Sequence, residues 1–315
     1  MNGSNGIPRK PKALAAGSRV GVFAPASPAE AVDMLAGLTE LKRHGFQVVA
    51  NQTAKAEGYF AGPALDRTNG FLNTVNSEQV DGLVGLRGGY GSNYLLDFDL
   101  EKSIAGPKCL IGFSDLTSLQ IYLWQKCRWV TFYGPMVAAG LNSGSGTRMG
   151  YDEAAFLQAV GKAEGGWKLR LKGEPVLAGQ AVGRVLGGCL TLLEATIGTP
   201  WELETKDAIL VLEDRAMKPY QVDRVLMHLK QAGKFERVRG ILLGEFPESE
   251  PAIAGAPTVR EVCARLLRPL GVPIVFGTPV GHTMRPMLTL PLGIKARLDA
   301  EGEGTLEYLE AAVVA

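Results

Sequence analysis

The sequence is poor in the residues that bind metals or cross-link a chain covalently. Its 315 residues include four cysteines, none in a CxxC pair, and only three histidines. There is no HExxH motif and no cluster of cysteine and histidine, so a zinc site is not expected. Since no export signal is present, the cysteines are predicted to be reduced and mostly part of the core.

The sequence also has no excess of charge and no long apolar run. A total of 33 basic and 32 acidic side chains leaves a net charge of +1, which gives no electrostatic reason to expect nucleic acid or an anionic membrane as a partner. No apolar run approaches the roughly 18 residues of a membrane span. The basic stretch 1–12 is not followed by the apolar segment that a signal peptide requires. We therefore predict that residues 1–12 form a loose tail and that the protein is cytoplasmic.

What is present is an alternation of strand and helix patterns through the first half of the chain. Ser27, Pro28 and Glu30 form a capping-box pattern, which predicts a helix start at Ser27. Strands that alternate with helices predict a parallel sheet covered on both faces, and such sheets bind ligands at the carboxyl ends of their strands. The predicted strands cover residues 19–25, 46–50, 80–86, 108–113 and 129–133, and the predicted helices cover residues 27–44, 64–76 and 114–126.

A change of composition divides the chain in two. The stretch LNSGSGTRMG (141–150) is rich in glycine and serine, and the segment 160–175 mixes glycine with charge. The length suits two domains of roughly 100–200 residues each. We therefore predict an N-terminal α/β domain of residues 1–165 and a C-terminal domain of residues 166–315. In the second, the predicted strands cover residues 208–214, 239–246 and 272–277, and the predicted helices cover residues 188–197, 219–232 and 258–269.

The stretch CLIGFSDLTSL (109–119) places a serine at the corner between an apolar strand and a helix. In a nucleophile elbow, such a corner holds the hydroxyl above the sheet and directs the next backbone N–H at a developing oxyanion. Gly112 permits a tight turn before Ser114, although Leu116 breaks the G-x-S-x-G pattern. Ser114 is therefore a candidate nucleophile, and the alternative is that it caps the following helix.

A serine nucleophile needs a base, and the base needs an acid that orients it. His44 ends the first predicted helix, where it suits the helix dipole, and His228 lies within a later helix. His282 follows a strand in a Gly/Pro-rich loop, a position from which catalytic side chains often come. For the acid, Glu213 and Asp214 both end an apolar strand, and the pattern alone does not choose between them.

The glycine-rich stretch 85–96 follows the third predicted strand. One interpretation is a phosphate loop built from consecutive backbone N–H groups, although neither GxGxxG nor GK[ST] occurs. The other is that Gly88 and Gly89 bring backbone donors to an oxyanion near Ser114. Arg87 is a candidate for binding a substrate carboxylate, or else it pairs with an acidic neighbour.

Six motifs follow one another along almost all of the chain after residue 18. They are RGGYGSNYLL (87–96), IGFSDLT (111–117), GPM (134–136), GRVLGGCLTLLEATIGTP (183–200), ILVLEDRAMKPYQVDRVLMHL (209–229) and GTPVGHTMRPMLTLPLG (277–293). Together, and in this order, they resemble the LD-carboxypeptidases of the serine-peptidase type. The resemblance implies a catalytic triad of Ser114, Glu213 and His282, with the nucleophile in the first domain and the acid and base in the second.

The resemblance also implies the rest of the enzyme. The N-terminal domain would be flavodoxin-like with a parallel sheet, and the C-terminal domain a smaller α+β unit. The backbone N–H of Asp115, with one from Gly88 or Gly89, would hold the oxyanion. No metal or organic cofactor would be needed, and members usually form cytoplasmic homodimers. The implied reaction cleaves the L,D-amide between a diamino acid and terminal D-alanine in murein tetrapeptides during cell-wall recycling.

Two residues depart from the family's pattern. Neither is expected to touch the triad, but either could alter the shape of the substrate pocket, so the pattern does not fix the substrate. Cys189 stands where asparagine is usual, and Tyr133 stands where many members have histidine. One alternative within the family is a self-immunity peptidase for peptidyl- or aminoacyl-nucleotides of the microcin C kind, in which Trp201 or Trp167 would stack on the nucleobase. Outside the family, the alternatives are a non-catalytic module that binds a small anion and a nucleotide-dependent enzyme that uses residues 85–92.

Overall fold

Two β-sheets with flanking helices make up the chain. The computed structural model describes residues 6–50 and 56–315, and its described part holds fourteen strands and eight helices. The strands are β1 (Arg19–Phe23), β2 (Gln47–Ala50), β3 (Gly82–Gly85), β4 (Cys109–Gly112), β5 (Thr131–Tyr133), β6 (Trp167–Arg170), β7 (Glu174–Leu177), β8 (Gln180–Cys189), β9 (Ala208–Glu213), β10 (Gly240–Leu243), β11 (Ile274–Phe276), β12 (Leu290–Leu292), β13 (Lys295–Asp299) and β14 (Thr305–Tyr308). The helices are α1 (Ala31–Arg43), α2 (Ala64–Asn76), α3 (Leu100–Ser103), α4 (Thr117–Cys127), α5 (Glu153–Gly161), α6 (Leu190–Ala195), α7 (Pro219–Gln231) and α8 (Val259–Leu267).

The first sheet has the predicted parallel, flavodoxin-like arrangement. Its strands lie in the order β2-β1-β3-β4-β5, all parallel. Every residue of β3, β4 and β5 is buried, as expected for a sheet with helices on both faces. The carboxyl end of β4 therefore opens onto the edge of the sheet at which ligands bind in such folds.

The second sheet is mixed, with eight strands in the order β6-β14-β13-β8-β9-β10-β11-β7. Its centre, β8 to β11, is parallel, and the outer strands run antiparallel to their neighbours. This is the α+β unit that the resemblance implies. The sequence predicted β9, β10 and β11 of this sheet and missed its other five strands, β6, β7, β8, β13 and β14.

One late strand of the chain, β12, joins the first sheet. Strand β12 pairs antiparallel with β5, and Leu290 lies opposite Tyr133. One hydrophobic core also joins the two sheets, because Leu110 of β4 and Val211 of β9 belong to the same buried cluster. The sheets are thus built on either side of residue 165 except for this one strand, and a domain boundary at that residue stays a prediction.

The prediction of a loose N-terminal tail is wrong for residues 9–12, while residues 1–5 lie outside the described part. The Arg9 backbone donates to the Arg128 carbonyl at 2.7 Å and accepts from the Val130 N–H at 3.0 Å. The Pro11 carbonyl accepts from Val314 at 2.8 Å. Backbone pairing with both neighbouring segments holds this stretch in place, and a reading of composition does not detect such pairing.

The predicted start of the first helix is also wrong. Helix α1 begins at Ala31, with Glu30 as a cap residue that makes no side-chain capping bond. The Ser27 hydroxyl instead accepts a hydrogen bond from the Tyr90 N–H at 3.2 Å, and the Ser27 N–H donates to the Gly88 carbonyl at 3.3 Å. The residue expected to cap a helix therefore anchors the glycine-rich loop.

Three features of the composition can be compared with the structure. All four cysteines are buried and unpaired, as predicted for reduced core residues. Within residues 6–50 and 56–315, no helix is long and apolar enough to cross a membrane, and no cluster of three or more metal-binding side chains is found.

Candidate active site

Ser114 lies at a sharp corner where β4 ends and a short 3-10 turn leads into α4. Phe113 is extended, whereas Ser114 has a φ of +60°, in the left-handed region that non-glycine residues seldom adopt. Strained backbone of this kind is typical of functional sites and is the geometry of a nucleophile elbow. The corner places Ser114 at the carboxyl end of a central parallel strand.

The glycine-rich loop packs directly against this corner. A Cβ atom on Gly88 would lie 2.9 Å from both Cβ and Oγ of Ser114, so only glycine lets the loop approach so closely. Gly89 has a φ of +106°, and a Cβ there would collide with the Ser27 hydroxyl. In the described part of the chain, the N–H groups of Gly88, Gly89 and Asp115 donate to no protein acceptor. The loop thus brings spare backbone donors to the serine, as an oxyanion hole requires.

The side chain of Asp115 ties the two segments together. It is buried, and its Oδ2 accepts a hydrogen bond from the Ser92 N–H at 2.7 Å. The Asp115 carbonyl also accepts from the Ser92 hydroxyl at 2.5 Å. These bonds fix the glycine-rich loop to the residue that follows the candidate nucleophile.

Glu213 and His282 form a buried pair. Glu213 ends β9 and is 0% exposed, and its Oε2 lies 2.9 Å from His282 Nδ1 and accepts from the His282 backbone N–H at 2.8 Å. Gly281 has a φ of +59°, and a Cβ there would lie 2.3 Å from the carboxyl carbon of Glu213. The loop therefore needs glycine at this point in order to lay His282 on the carboxylate.

The electrostatics of the pair favour an ionised carboxylate. Burial alone raises the pKa of Glu213, but the charge of His282 and hydrogen bonds from His282 and Tyr133 outweigh it and leave the pKa below its usual value. For His282, burial lowers the pKa, but the charge and hydrogen bond of Glu213 raise it by more than burial lowers it. The pKa of His282 is therefore above its usual value. A neutral His282 that donates through Nδ1 leaves Nε2 free as a base.

Tyr133 is a site residue that sequence reasoning noted only as a departure from the family. It ends β5, is 0% exposed, and donates from its hydroxyl to Glu213 Oε1 at 2.5 Å. Its hydroxyl also lies 3.4 Å from the Ser114 nitrogen. Burial, with the nearby Glu213 charge, raises the pKa of the Tyr133 hydroxyl well above its usual value, so it remains a donor. The signal that could have found it is a tyrosine at the carboxyl end of a parallel strand.

Asp214 does not face His282. Its Oδ2 accepts from the Thr191 N–H at 2.9 Å and from the Thr191 hydroxyl at 2.7 Å, and it lies 3.5 Å from the Cys189 sulfur. Burial, with the charges of the two neighbouring carboxylates, raises the pKa of Cys189, which remains a neutral thiol. Of the two carboxylates that the sequence left open, Glu213 contacts the histidine, and Asp214 bonds to Thr191 at the start of α6.

Ser114 and His282 line one cavity of about 490 Å³ between the two sheets, and Glu213 lies on the far side of His282. The Phe113 ring meets the imidazole edge to face, with centroids 5.2 Å apart. Among the described residues the Ser114 hydroxyl has no hydrogen-bond partner. The hydrogen bond between a catalytic serine and its histidine is often long in the absence of substrate and shortens when substrate binds.

The remaining candidates lie in different surroundings. Arg87 lines the cavity, where its guanidinium donates only to the Pro28 carbonyl, at 3.3 Å, and forms no ion pair within the described part. His44 lies in a hydrogen-bonded cluster with Tyr151, and His228 pairs with Glu194 at 2.8 Å. Neither of these two histidines lines the cavity.

The two tryptophans considered as nucleobase contacts also differ. Trp167 is buried and stacks on Tyr308, with ring centroids 4.5 Å apart, away from the cavity. Trp201 is half-buried and lines a second groove next to the cavity.

A serine on a left-handed corner, in a cavity that it shares with a histidine held by a buried carboxylate, is the arrangement of serine hydrolases. The flavodoxin-like sheet with a second, mixed sheet narrows the class to hydrolases that combine two such sheets. Residues 20–134 match the LD-carboxypeptidase N-terminal domain, and residues 182–298 match the LD-carboxypeptidase C-terminal domain. The chain belongs to the LD-carboxypeptidase family and is a hydrolase of the carboxypeptidase type.

Relatives cover nearly the whole chain. A probable murein peptide carboxypeptidase of Bacillus subtilis is 32% identical over 98% of this chain and 97% of its own length. The microcin C7 self-immunity protein MccF of Escherichia coli is 28% identical over 94% of this chain and 95% of its own.

Solved structures agree with the fold. The muramoyltetrapeptide carboxypeptidase of Oxalobacter formigenes superposes with a TM-score of 0.82 at 26% identity, covering 95% of this chain and all of that one. MccF in complex with aspartyl sulfamoyl adenosine superposes with a TM-score of 0.87 at 27% identity, covering 97% of this chain and all of that one.

Proposed function

We propose that this protein is a serine LD-carboxypeptidase that hydrolyses the L,D-amide between a diamino acid and terminal D-alanine in murein tetrapeptides. The observation that carries the proposal is the buried Glu213–His282 pair, 2.9 Å apart, beside a cavity that also holds the left-handed Ser114. The murein peptide carboxypeptidase of Bacillus subtilis, similar over its whole length, supports the choice of substrate.

In the proposed mechanism, His282 Nε2 takes the proton from Ser114 as its oxygen attacks the amide carbonyl. Glu213 stays ionised, keeps the proton of the neutral ring on Nδ1, and stabilises the imidazolium that forms. The imidazolium then gives its proton to the leaving D-alanine amine. A water molecule, deprotonated by the same histidine, hydrolyses the acyl-enzyme, and no cofactor takes part.

The oxyanion would be held by the Asp115 N–H and by one from Gly88 or Gly89. Their free amides beside Ser114 support this assignment. Losing one such donor typically costs about 2.7–4 kcal/mol of transition-state stabilisation. Arg87, with no ion pair to a described residue, would bind a substrate carboxylate such as that of D-alanine.

The test is D-alanine release from the tetrapeptide L-Ala-γ-D-Glu-meso-diaminopimelate-D-Ala. Wild type should release D-alanine, and Ser114→Ala should lower kcat by at least about 10⁴-fold. Ser103→Ala is the matched control, because Ser103 lies on α3 outside the cavity and should leave turnover unchanged. Undiminished turnover by a folded Ser114→Ala enzyme would disprove the triad, and a folded wild type without D-alanine release would disprove the substrate.

The second candidate is a self-immunity peptidase for aminoacyl-nucleotides. It is favoured by the likeness to MccF in complex with aspartyl sulfamoyl adenosine and by the position of Trp201 beside the cavity. Incubation with an aminoacyl sulfamoyl adenosine distinguishes the two: hydrolysis of this compound but not of the tetrapeptide would select the second candidate.

Three further properties complete the proposal. We expect a cytoplasmic protein, a homodimer, and a domain boundary near residue 165. Cell fractionation, light scattering coupled to gel filtration, and limited proteolysis test them in turn.

A further inference from the structure

A groove lined by positive side chains lies at the opposite end of the sheets from the catalytic cavity. It has a volume of about 370 Å³ and is here called the basic groove. It lies where α4 ends and where β8 and β9 begin, whereas the catalytic cavity lies where α4 begins and where β8 and β9 end. The two share no lining residue in the described part of the chain. A ligand in the basic groove would therefore be separate from a substrate at Ser114.

Positive charge exceeds negative charge in the basic groove. Five cationic side chains and two carboxylates line it, an excess of three positive charges in a protein whose net charge is +1. The cations are Arg128, Arg184, Lys206, Arg239 and Lys295, and the carboxylates are Glu204 and Asp207. Because charges of one sign in a cleft with low-dielectric walls reinforce one another, the groove should attract anions.

The two carboxylates leave the lysines of the groove without a partner. Asp207 Oδ1 accepts from Arg239 Nε at 2.8 Å and lies 2.6 Å from Nη2 of the same side chain. The Glu204 carboxylate accepts from the backbone N–H of Lys206 at 3.0 Å. The ammonium groups of Lys206 and Lys295 make no hydrogen bond and no ion pair with any described residue. Both ammonium groups are thus available to a ligand.

Two guanidinium groups of the groove wall are held in place by Trp124. Those of Arg128 and Arg184 lie 5.2 and 5.4 Å from the centre of its ring. Gly293 has a φ of +89°, and a Cβ there would lie 2.7 Å from the ring, so only glycine lets the backbone come this close. The Gly293 carbonyl then accepts a hydrogen bond from Arg184. Fixing the two cations before a ligand arrives lowers the entropy cost of binding.

The same two guanidinium groups repel each other. Burial lowers the pKa of Arg184, Glu310 raises it and the charge of Arg128 lowers it again, so the pKa is below its usual value. The compensation by Glu310 is shared, because this carboxylate lies 2.9 Å from Lys10 and 3.6 Å from Arg184. Arg128 has a φ of +53°, the left-handed conformation in which glycine usually ends a helix. A strained backbone that brings one cation close to another is explained if both bind the same anion.

The charges favour a phosphate over a carboxylate as this anion. Arg128, Lys206 and Lys295 have no ion pair within the described ranges, so a singly charged carboxylate would leave two of them without a counter-charge. A phosphate monoester carries close to two negative charges and three acceptor oxygens, and arginine binds it through two parallel hydrogen bonds. Trp124, the one aromatic side chain among the described lining residues, is 5% exposed and offers no face to a nucleobase.

We propose that the basic groove is a second ligand site, which binds a phosphate ester or pyrophosphate. Arg128 and Arg184 would hold the phosphate oxygens from the groove wall, and the exposed Lys206 and Lys295 would bind them from the rim. The inference goes beyond the proposed carboxypeptidase function and does not depend on it, because no residue of the triad takes part.

Calorimetric titration with sodium pyrophosphate at constant ionic strength tests the site. Wild type should bind, and Arg128→Gln should raise Kd by about tenfold, the effect of losing one charge-assisted hydrogen bond. Lys295→Gln should raise Kd by about threefold, since an exposed charge contributes less. Lys42→Gln is the matched control: this lysine is exposed on α1, outside the groove, and its loss should leave Kd unchanged.

A second control separates the basic groove from the catalytic cavity. Arg87→Gln removes a cation of the cavity and should leave Kd for pyrophosphate unchanged. Titration with glycerol 3-phosphate distinguishes the two sources of the phosphate group. Tighter binding of this ester points to an organic phosphate as the ligand, and tighter binding of pyrophosphate points to an inorganic one.

Absence of binding in wild type would overturn the inference. So would an unchanged Kd in both Arg128→Gln and Lys295→Gln, or a Kd raised only in Arg87→Gln, which would place the anion in the catalytic cavity. Lys295 is exposed and its ammonium has no partner among the described residues, so Lys295→Gln should fold even if Arg128→Gln does not.

Discussion

At the scale of single residues, His282 sets the expected pH dependence. Burial lowers the pKa of His282, but the effect of Glu213 is larger and opposite, so the pKa lies above the ordinary value of 6.5. Only the neutral ring can act as base, so kcat/KM should fall about tenfold per pH unit below that pKa. A pH profile of D-alanine release checks this expectation, and an acid limb centred below pH 6.5 would contradict it.

Tyr133 is expected to affect the pKa of His282 through its hydrogen bond to Glu213. Replacing it with phenylalanine removes the 2.5 Å bond to Glu213, so the carboxylate acts more strongly on His282 and the acid limb moves to higher pH. Loss of a bond to a charged group should also lower the free energy of unfolding by about 1.5–3 kcal/mol.

Tyr308→Phe provides the control for this variant. Tyr308 is equally buried, but its hydroxyl donates to the Pro291 carbonyl at 3.3 Å, away from the cavity. Its loss should affect stability without moving the pH profile. If Tyr133→Phe also left the profile in place, Tyr133 would have only a structural part.

At the scale of elements, the close approach of the glycine-rich loop to β4 can be tested with one methyl group. Gly88→Ala places a Cβ 2.9 Å from the Ser114 hydroxyl, which should displace the oxyanion donors and lower kcat by about 10²-fold or more. Gly106→Ala is the control, since a Cβ there meets no atom within 4 Å. Equal activity of the two variants would place the loop outside the reaction.

The elements also show what the sequence could and could not predict. Helix α2 was predicted at about residues 64–76, and the structure has it at Ala64–Asn76. Strand β8 was missed because its glycines read as turns. They are required by close packing, since a Cβ on Gly187 would lie 2.1 Å from the Val211 carbonyl oxygen of β9. Such contacts between distant segments are invisible in a local pattern.

The candidate site also contains residues that the sequence predicted and residues that it did not. The resemblance implied Ser114, Glu213 and His282 as a set, whereas the local pattern left Glu213 and Asp214 open. The structure places Ser114, His282 and the glycine-rich loop on one cavity, with Glu213 behind His282.

Tyr133 was expected to affect only the shape of the substrate pocket and not to touch Glu213, and this expectation is wrong, because its hydroxyl donates to Glu213. Ser27 was predicted to cap a helix and instead anchors the glycine-rich loop. Their partners lie 80 and 63 residues away along the chain.

At the scale of the whole molecule, the two sheets should unfold together. One core contains Leu110 from the first sheet and Val211 from the second, and β12 crosses back to pair with β5. Calorimetry should therefore show a single transition that coincides with the loss of near-ultraviolet circular dichroism. Two separated transitions would show that the shared core and the returning strand do not couple the sheets.

The left-handed backbone at Ser114 serves the reaction but lowers the stability of the fold. A side chain at a φ of +60° costs on the order of 1–2 kcal/mol, and glycine does not bear this cost. Any search that selects this protein for thermal stability alone will therefore favour glycine at its reactive serine. Such a selection would yield a more durable fold with the nucleophile gone, so engineering of heat resistance in this chain has to retain turnover as a second criterion.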